Sequence, residues 1–212
     1  MKVILVNGSP HERGCTYVAL AEAAKALREE GAETEFFWIG KDGIRGCAGC
    51  RACAKLGKCV FDDRVNEFTA LAAEADGFIF GSPVYFSGMN GEMMSFMDRA
   101  FFSVTRGDGR DPFMLKPGAA VTSARRAGTT SALDQMNKYL LYAQMPVISS
   151  RYWNMIHGST PEEAAQDAEG LQIMRVLGRN MAWFLRLKEA GQRAGVPLPR
   201  QEEKRIATNF IR

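Results

Sequence analysis

Short apolar runs alternate with longer helical patterns along this chain. The first run, Val3 to Val6, is continuous, as is typical of a strand that is buried on both faces of a parallel sheet. Similar runs cover residues 34–39, 77–81, 119–122 and 146–149, and helical stretches separate them. This order predicts an α/β fold: a doubly wound, five-stranded parallel sheet with right-handed crossovers and helices on both faces.

The carboxyl ends of the predicted strands are where such a sheet binds ligands, close to the point at which the strand order reverses. Three connections follow the first, third and fourth strands, and they therefore meet at one edge of the sheet. They cover residues 8–16, 82–89 and 122–130. These three loops are the first candidates for a binding site.

The first loop contains a pattern that suits a phosphate group. Backbone N–H groups at the start of the following helix, together with the hydroxyls of Ser9 and Thr16, are typical anion ligands. Five residues separate the two glycines of the loop and Cys15 follows the second, whereas an ATP-type P-loop has four residues and then Lys. The dinucleotide pattern G-x-G-x-x-G is also absent. The loop therefore predicts either a mononucleotide phosphate site or an ordinary strand–helix turn.

The second loop carries two adjacent aromatic residues, Tyr85 and Phe86. Their exposure at a sheet edge is unfavourable unless a flat apolar ligand covers them. Backbone amides of the same turn are suited to the polar edge of an isoalloxazine. The alternative is a hydrophobic turn that packs on its own helix.

The third loop carries the arginine pair Arg125 and Arg126 before a predicted helix. The pair is either a solvated surface feature or a source of positive charge beside the N1 and O2 edge of a flavin. Reduction develops negative charge at that edge, so a cation there stabilises the reduced form. Both arginines are candidates for this position.

The three loops together resemble the NADPH-dependent FMN reductase family of flavodoxin-like proteins, in the branch that contains the iron–sulfur flavoproteins. The resemblance is carried by Gly8-Ser9-Pro10, by Ser82-Pro83-Val84-Tyr85-Phe86 and by Phe96-Met97-Asp98-Arg99, and it runs from Met1 to about Lys188. It implies a flavodoxin-like fold, non-covalently bound FMN and a homodimer or homotetramer. The cofactor-binding residues that it implies are Ser9, His11, Cys15, Thr16, Pro83, Val84, Tyr85, Phe86, Ser87, Gly88, Ser123, Ala124, Arg125, Arg126 and Gly128.

Four cysteines lie close together in a C-x2-C-x2-C-x5-C arrangement: Cys47, Cys50, Cys53 and Cys59. Thiolates at this spacing are typical metal ligands and favour an iron–sulfur cluster, zinc or copper(I). Zinc sites usually contain two separated C-x2-C pairs, whereas the compact run is closer to cluster-binding loops. The spacing also resembles the motif of the iron–sulfur flavoproteins. A reduced or partly oxidised cysteine loop that packs at a subunit interface is the alternative.

The resemblance implies an FMN-dependent oxidoreductase. NAD(P)H would reduce the flavin, which would pass electrons to free flavin, a quinone or a nitroaromatic compound. No side chain is predicted to be catalytic, because the cofactor carries the chemistry. The alternative function is an iron–sulfur flavoprotein that acts as an electron carrier and is served by a ferredoxin-type protein.

Length, composition and charge predict the domain organisation, the kinds of partner and the location of the protein. With 212 residues and 46% hydrophobic content, the chain is expected to form one domain at 1–190, with a cysteine-containing insertion at 40–63 and a polar tail at 191–212. The net charge is +3 and the basic residues are scattered, so no nucleic-acid partner is expected. The sequence shows no leader pattern and no apolar stretch that would span a bilayer, which predicts a cytoplasmic protein without membrane contact.

Overall fold

The computed structural model describes residues 1–105 and 111–199, together with 203, 206 and 208. Within these ranges the strands are β1 (Lys2–Asn7), β2 (Glu33–Trp38), β3 (Gly77–Tyr85), β4 (Gly88–Met89), β5 (Gly118–Ala124) and β6 (Met155–His157). The helices are α1 (Cys15–Glu29), α2 (Cys53–Leu56), α3 (Arg64–Ala72), α4 (Gly91–Thr105), α5 (Thr129–Tyr142), α6 (Pro161–Ala164) and α7 (Ala168–Arg193).

Five strands form a parallel sheet in the order β2-β1-β3-β5-β6. This is the strand order of flavodoxin-like sheets, so the predicted fold class is confirmed. The sixth strand, β4, was not predicted. It pairs antiparallel with the end of β3, where Val84 lies opposite Met89, and the two make a short hairpin arm.

The side chains of β1 alternate between two hydrophobic cores, one on each face of the sheet. Ile4 and Val6 pack with α3, α4 and α5 on one face of the sheet. Val3 and Leu5 pack with α1 and α7 on the other face. All four side chains are fully buried, which explains why the run is continuous in the sequence.

Helices α1 and α7 approach each other closely at Gly178. A Cβ atom at this position would lie 2.6 Å from the carbonyl oxygen of Ala23. The predicted apolar face of α7 is buried at Met174, Leu177 and Met181. The small residue therefore lets the two backbones pack directly against each other.

The final strand lies later in the sequence than predicted. Residues 146–149 make a single bridge, between Val147 and Gly118, and the strand itself is β6. The hydrogen bonds between β5 and β6 begin at the carbonyl of Asn154, which accepts from Thr122 N (2.9 Å). The prediction of a strand at 146–149 is wrong, because the polar residues that follow the short apolar run offer the sheet little to bury.

The predicted last helix is two helices, α6 and α7. Thr160 caps the first, as predicted, by accepting from Glu163 N (3.3 Å). Asp167 caps the second by accepting from Gly170 N (2.9 Å). Ten of the 22 residues of the predicted polar tail at 191–212 lie outside the described residues. Within the described ranges, no helix is long and apolar enough to cross a membrane.

Candidate cofactor site

One cleft of about 850 Å³ opens at the carboxyl edge of the sheet and contains parts of all three predicted loops. Its size is within the usual range for small-molecule and cofactor sites. The predicted residues that line it are Ser9, His11, Cys15, Thr16, Pro83, Val84, Tyr85, Ser123, Ala124 and Arg125. The fold thus brings together the residues that the strand order led us to expect at one place.

The first loop leads into the N-terminus of α1. The N-cap residue is Gly14, whose backbone is extended. No side chain caps the helix, and its first turn contains no acidic residue. The side chain of Asn7 shapes the loop by accepting from Ser9 N (3.0 Å) and donating to the carbonyl of Glu12 (2.9 Å). Ser9 Oγ in turn accepts from His11 N (3.1 Å). The first N–H groups of a helix have no partner within the helix and attract anions, so this end of the cleft suits a phosphate.

Two contacts join the first loop to other parts of the cleft wall. The buried hydroxyls of Thr16 and Ser123 lie 2.8 Å apart and link the first loop to the third. The thiol of Cys15 donates to the carbonyl of Gly158 (3.5 Å). Burial is the main reason that the pKa of the Cys15 thiol is raised. The group therefore stays neutral and does not repel an anion.

The second loop is the turn of the β3–β4 hairpin. Phe86 and Ser87 both have positive φ angles, 49° and 61°, which are the conformations that a two-residue hairpin turn of type I′ requires. Tyr85 is 48% exposed and lines the cleft, whereas Phe86 at the tip is fully exposed and does not. The two adjacent aromatic residues therefore face different surroundings.

Five of the predicted residues do not line the cleft: Phe86, Ser87, Gly88, Arg126 and Gly128. Gly128 lies against the hairpin turn. Its φ is +90°, and a Cβ atom at this position would lie 2.7 Å from the Cα atom of Ser87. This glycine lets the third loop pack under the hairpin. Of the two arginines, Arg125 lines the cleft and Arg126 does not, although both are exposed.

Asn90 is a site residue that the sequence did not suggest. Its side chain is buried and donates from Nδ2 to the carbonyl of Gly8 (2.9 Å), while its backbone N–H donates to Ser82 Oγ (3.1 Å). It therefore ties the first loop to the second. No sequence pattern identifies it, because its bonded partner in the first loop lies 82 positions away.

A fourth segment, Gly158 to Pro161, also lines the cleft. It follows β6 at the same edge of the sheet as the other loops. The rule that ligands bind beyond the carboxyl ends of strands would have found it. It was missed because the last strand was placed at 146–149.

The four clustered cysteines line a second, separate pocket against α4. Cys47 and Cys50 are exposed, whereas Cys53 begins α2 and is buried. Burial, and after it the neighbouring Cys50 and Cys59 thiolates, raises the pKa of the Cys53 thiol. The loop thus brings the four thiols into one neighbourhood, as the spacing predicts.

The geometry of this pocket bears on which metal group it fits. Its volume is about 20 Å³, so the exposed thiols must move outward to admit a cluster. Among the described residues, no three His, Cys, Asp or Glu side chains are close enough together to hold one metal ion. In a four-iron cluster each thiolate binds a different iron, so its ligands do not converge on one point. Four thiols are a donor set that soft metal groups use, an iron–sulfur cluster among them.

Comparison with known families decides which family the chain belongs to. A model of the NADPH-dependent FMN reductase family matches residues 1–160. The chain belongs to this family. This FMN reductase family member is 35% identical over 196 residues to an iron–sulfur flavoprotein of Methanocaldococcus jannaschii, and the match covers 88% of the chain and 98% of the relative.

Two further similarities agree with this assignment. An iron–sulfur flavoprotein of Archaeoglobus fulgidus is 29% identical over 198 residues, which cover 88% of the chain and 98% of that protein. A flavodoxin from the domain Archaea has a similar fold, with a TM-score of 0.59, 16% identity and coverage of 88% and 99%. The predicted family is confirmed, and this FMN reductase family member is a flavin-dependent oxidoreductase.

Proposed function

We propose that the chain binds FMN non-covalently in the cleft, takes electrons from NAD(P)H and passes them to a small acceptor such as free flavin, a quinone or a nitroaromatic compound. One observation carries this proposal. The same cleft contains the uncapped N-terminus of α1 and an apolar wall that includes Val84 and Tyr85. Bound FMN supplies the redox chemistry, so the protein has to bind, orient and tune it.

At the phosphate end, the N–H groups of the first loop and two hydroxyls are the proposed ligands. Ser9 Oγ accepts from His11 N, which leaves its own O–H to donate to a phosphate oxygen. Of the Thr16 and Ser123 hydroxyls, one donates to the other, so one O–H of the pair remains for the ligand. Hydrogen bonds to a charged acceptor are stronger than those between neutral groups, which favours a phosphate here.

At the ring end, Pro83, Val84 and Tyr85 form the proposed surface for the isoalloxazine. A flat ring over Tyr85 would cover apolar area that is otherwise in water. Arg125 is the proposed cation beside the pyrimidine edge, since it lines the cleft and Arg126 does not. Positive charge at this edge would favour the reduced flavin.

The test is the visible spectrum of the anaerobically purified protein before and after addition of NADPH. The proposal predicts flavin absorbance that is bleached by NADPH and restored by a quinone. The same measurement with NADH shows which of the two nucleotides reduces the flavin faster. Flavin that is stable to both nucleotides but is reduced by a reduced ferredoxin would contradict the NAD(P)H part of the proposal. Protein that neither contains nor binds flavin would contradict all of it.

A second candidate function is that of an electron carrier that holds FMN and an iron–sulfur cluster and exchanges electrons with a ferredoxin-type protein. The observation that favours it is the pocket lined by all four clustered cysteines. A cluster supplies one-electron transfer, and the thiolates supply its ligands. The two candidates share the flavin site and differ in the source of electrons.

Iron and labile-sulfide content after anaerobic purification tests this second function. We expect stoichiometric iron that is lost in Cys50→Ser and kept in Cys15→Ser, because Cys15 lies outside the cysteine pocket. Iron that survives Cys50→Ser unchanged would contradict the assignment of these ligands.

The proposal includes a homodimer or homotetramer. Phe86 at the hairpin tip is fully exposed, and Leu141 on α5 is 66% exposed. A contiguous apolar patch, and not a single exposed side chain, is typical of an association surface, so the support for this assembly is the family resemblance. Light scattering after gel filtration tests it, and a monomer at micromolar concentration would contradict it.

A further inference from the structure

A fully buried arginine lies beneath the cysteine pocket. Arg99 extends from α4, and no part of its side chain is exposed. Its two terminal nitrogens donate to the two carboxylate oxygens of Asp63 at 2.6 and 2.8 Å. This is the paired geometry in which arginine binds carboxylates most strongly. The guanidinium is therefore held in one orientation.

The same two nitrogens also bind the chain on both sides of the cysteine segment. One donates to the carbonyl of Arg45 (3.1 Å), which precedes the first cysteine. The other donates to the carbonyl of Phe61 (3.2 Å), which follows the last. Arg99 thus fixes the two ends of the loop relative to α4.

The fifth donor of Arg99 is directed at a cysteine. Nε donates to Cys59 Sγ at 3.2 Å, so each of the five N–H groups has an acceptor. The backbone of Cys59 is held separately by Asn66, which accepts from Cys59 N (3.0 Å) and donates to its carbonyl (2.9 Å). Cys59 is therefore held at both its backbone and its sulfur.

We propose that Arg99 is a positioning residue of the cysteine pocket, which holds Cys59 through the Nε–H to Sγ hydrogen bond and makes the reduction potential of a cluster bound there more positive. This inference rests on the second candidate function above. Hydrogen bonds to the ligand sulfurs and nearby positive charge both stabilise the reduced cluster, which carries one more negative charge than the oxidised cluster. A buried donor acts strongly because little solvent screens it.

A purely structural role for Arg99 predicts a different result. If the arginine only fastened the loop through Asp63 and the two carbonyls, its replacement would change stability without changing the potential of a cluster that still bound. The reduction potential is therefore the measurement that separates the two roles.

The experiment uses the full chain, with FMN, iron and sulfide supplied anaerobically. Its variants are Arg99→Lys, the double variant Arg99→Gln/Asp63→Asn and the control Arg45→Gln. The double variant removes both charges together, because removal of one would leave the other buried and unpaired. Arg99→Lys keeps the charge and remains measurable if the double variant does not fold. Arg45 is an exposed arginine of the same segment whose guanidinium lies over the Phe61 ring (4.5 Å), so Arg45→Gln removes an equal charge that solvent screens.

Iron, sulfide and FMN are assayed, and the midpoint potential is measured by a redox titration that is monitored by electron paramagnetic resonance. We expect the double variant to lower the equilibrium constant for reduction at least about tenfold, which is about 59 mV for one electron. Arg99→Lys should lower it less, and Arg45→Gln less still.

Two results would overturn the inference and are distinguishable. A cluster that keeps the wild-type potential in both Arg99 variants would show that Arg99 does not tune it, while the cluster assignment would stand. Wild-type protein that binds FMN but takes up no iron or sulfide would overturn both the cluster and this inference, while the flavin reductase proposal would stand.

Discussion

Asn90 connects the first two loops of the cleft through a side chain that is 1% exposed. Its Nδ2 group is the hydrogen-bond partner of the Gly8 carbonyl, and its backbone N–H bonds to Ser82. Neither partner is near enough in the sequence to form a recognisable motif. Residues of this kind determine where a binding loop lies, although they do not themselves line the cleft.

At this scale we expect Asn90→Ala to weaken FMN binding and to lower the free energy of unfolding by about 1–3 kcal/mol. The reason is that the buried carbonyl of Gly8 loses its side-chain donor. Flavin fluorescence titration and urea unfolding measure the two effects. Asn180→Ala is the matched control, since Asn180 makes one exposed bond to the carbonyl of Ser149. Equal effects of the two substitutions on FMN affinity would contradict the role of Asn90.

Among the secondary-structure elements, helix α1 makes contacts at two separate places. Its N-terminus faces the cleft, and its apolar face packs against α7, where Gly178 lets the backbones meet. The helix is therefore held by a contact that is remote from the ligand. Substitutions at that contact should change stability and leave the chemistry of the cleft unchanged.

Gly178→Ala tests this separation. The added Cβ would lie 2.6 Å from the carbonyl oxygen of Ala23, so we expect the free energy of unfolding to fall by about 1–3 kcal/mol. Gly191→Ala in the same helix is the control, because its Cβ would meet nothing closer than 3.8 Å. There the better helix propensity of alanine should raise stability by up to about 1 kcal/mol. Urea unfolding with and without FMN provides the measurement, and destabilisation by both substitutions would contradict the account.

The strands and turns of the structure agree with the sequence-based prediction in some places and differ from it in others. Strands that are buried on both faces were located correctly, because continuous apolar runs such as 3–6 and 77–81 are too short for a helix and are followed by turn residues. The last strand was misplaced because 146–149 and 155–157 are both short. Both pair with β5, and only the number of paired residues, one in 146–149 and three in 155–157, separates them. The second loop was predicted as a turn, but the β3–β4 hairpin that contains it was not. Its positive φ angles fall on Phe86 and Ser87, where a turn pattern would have Asn or Gly.

For the whole molecule, the sheet brings together loops that are far apart in the sequence. The cleft is built from four segments that follow different strands, and the cysteine pocket lies elsewhere, against α4. The strand order predicted the first three segments. The cleft depends on tertiary hydrogen bonds, so its ligand should stabilise the entire fold.

We therefore expect FMN to raise the free energy of unfolding. At a concentration one hundred times its dissociation constant the increase should be about 2.7 kcal/mol, provided that the unfolded chain does not bind it. Thermal unfolding at several FMN concentrations measures this increase. A midpoint that does not depend on FMN would contradict binding to the folded cleft.

The most direct test of the central claim compares FMN with riboflavin, which lacks the phosphate. A single hydrogen bond to a charged group contributes about 1.5–3 kcal/mol, so wild-type protein should bind FMN at least about tenfold more tightly than riboflavin. In Thr16→Ala this preference should shrink, while riboflavin affinity stays nearly the same. Equal affinities for FMN and riboflavin in the wild-type protein would contradict a phosphate site at the start of α1.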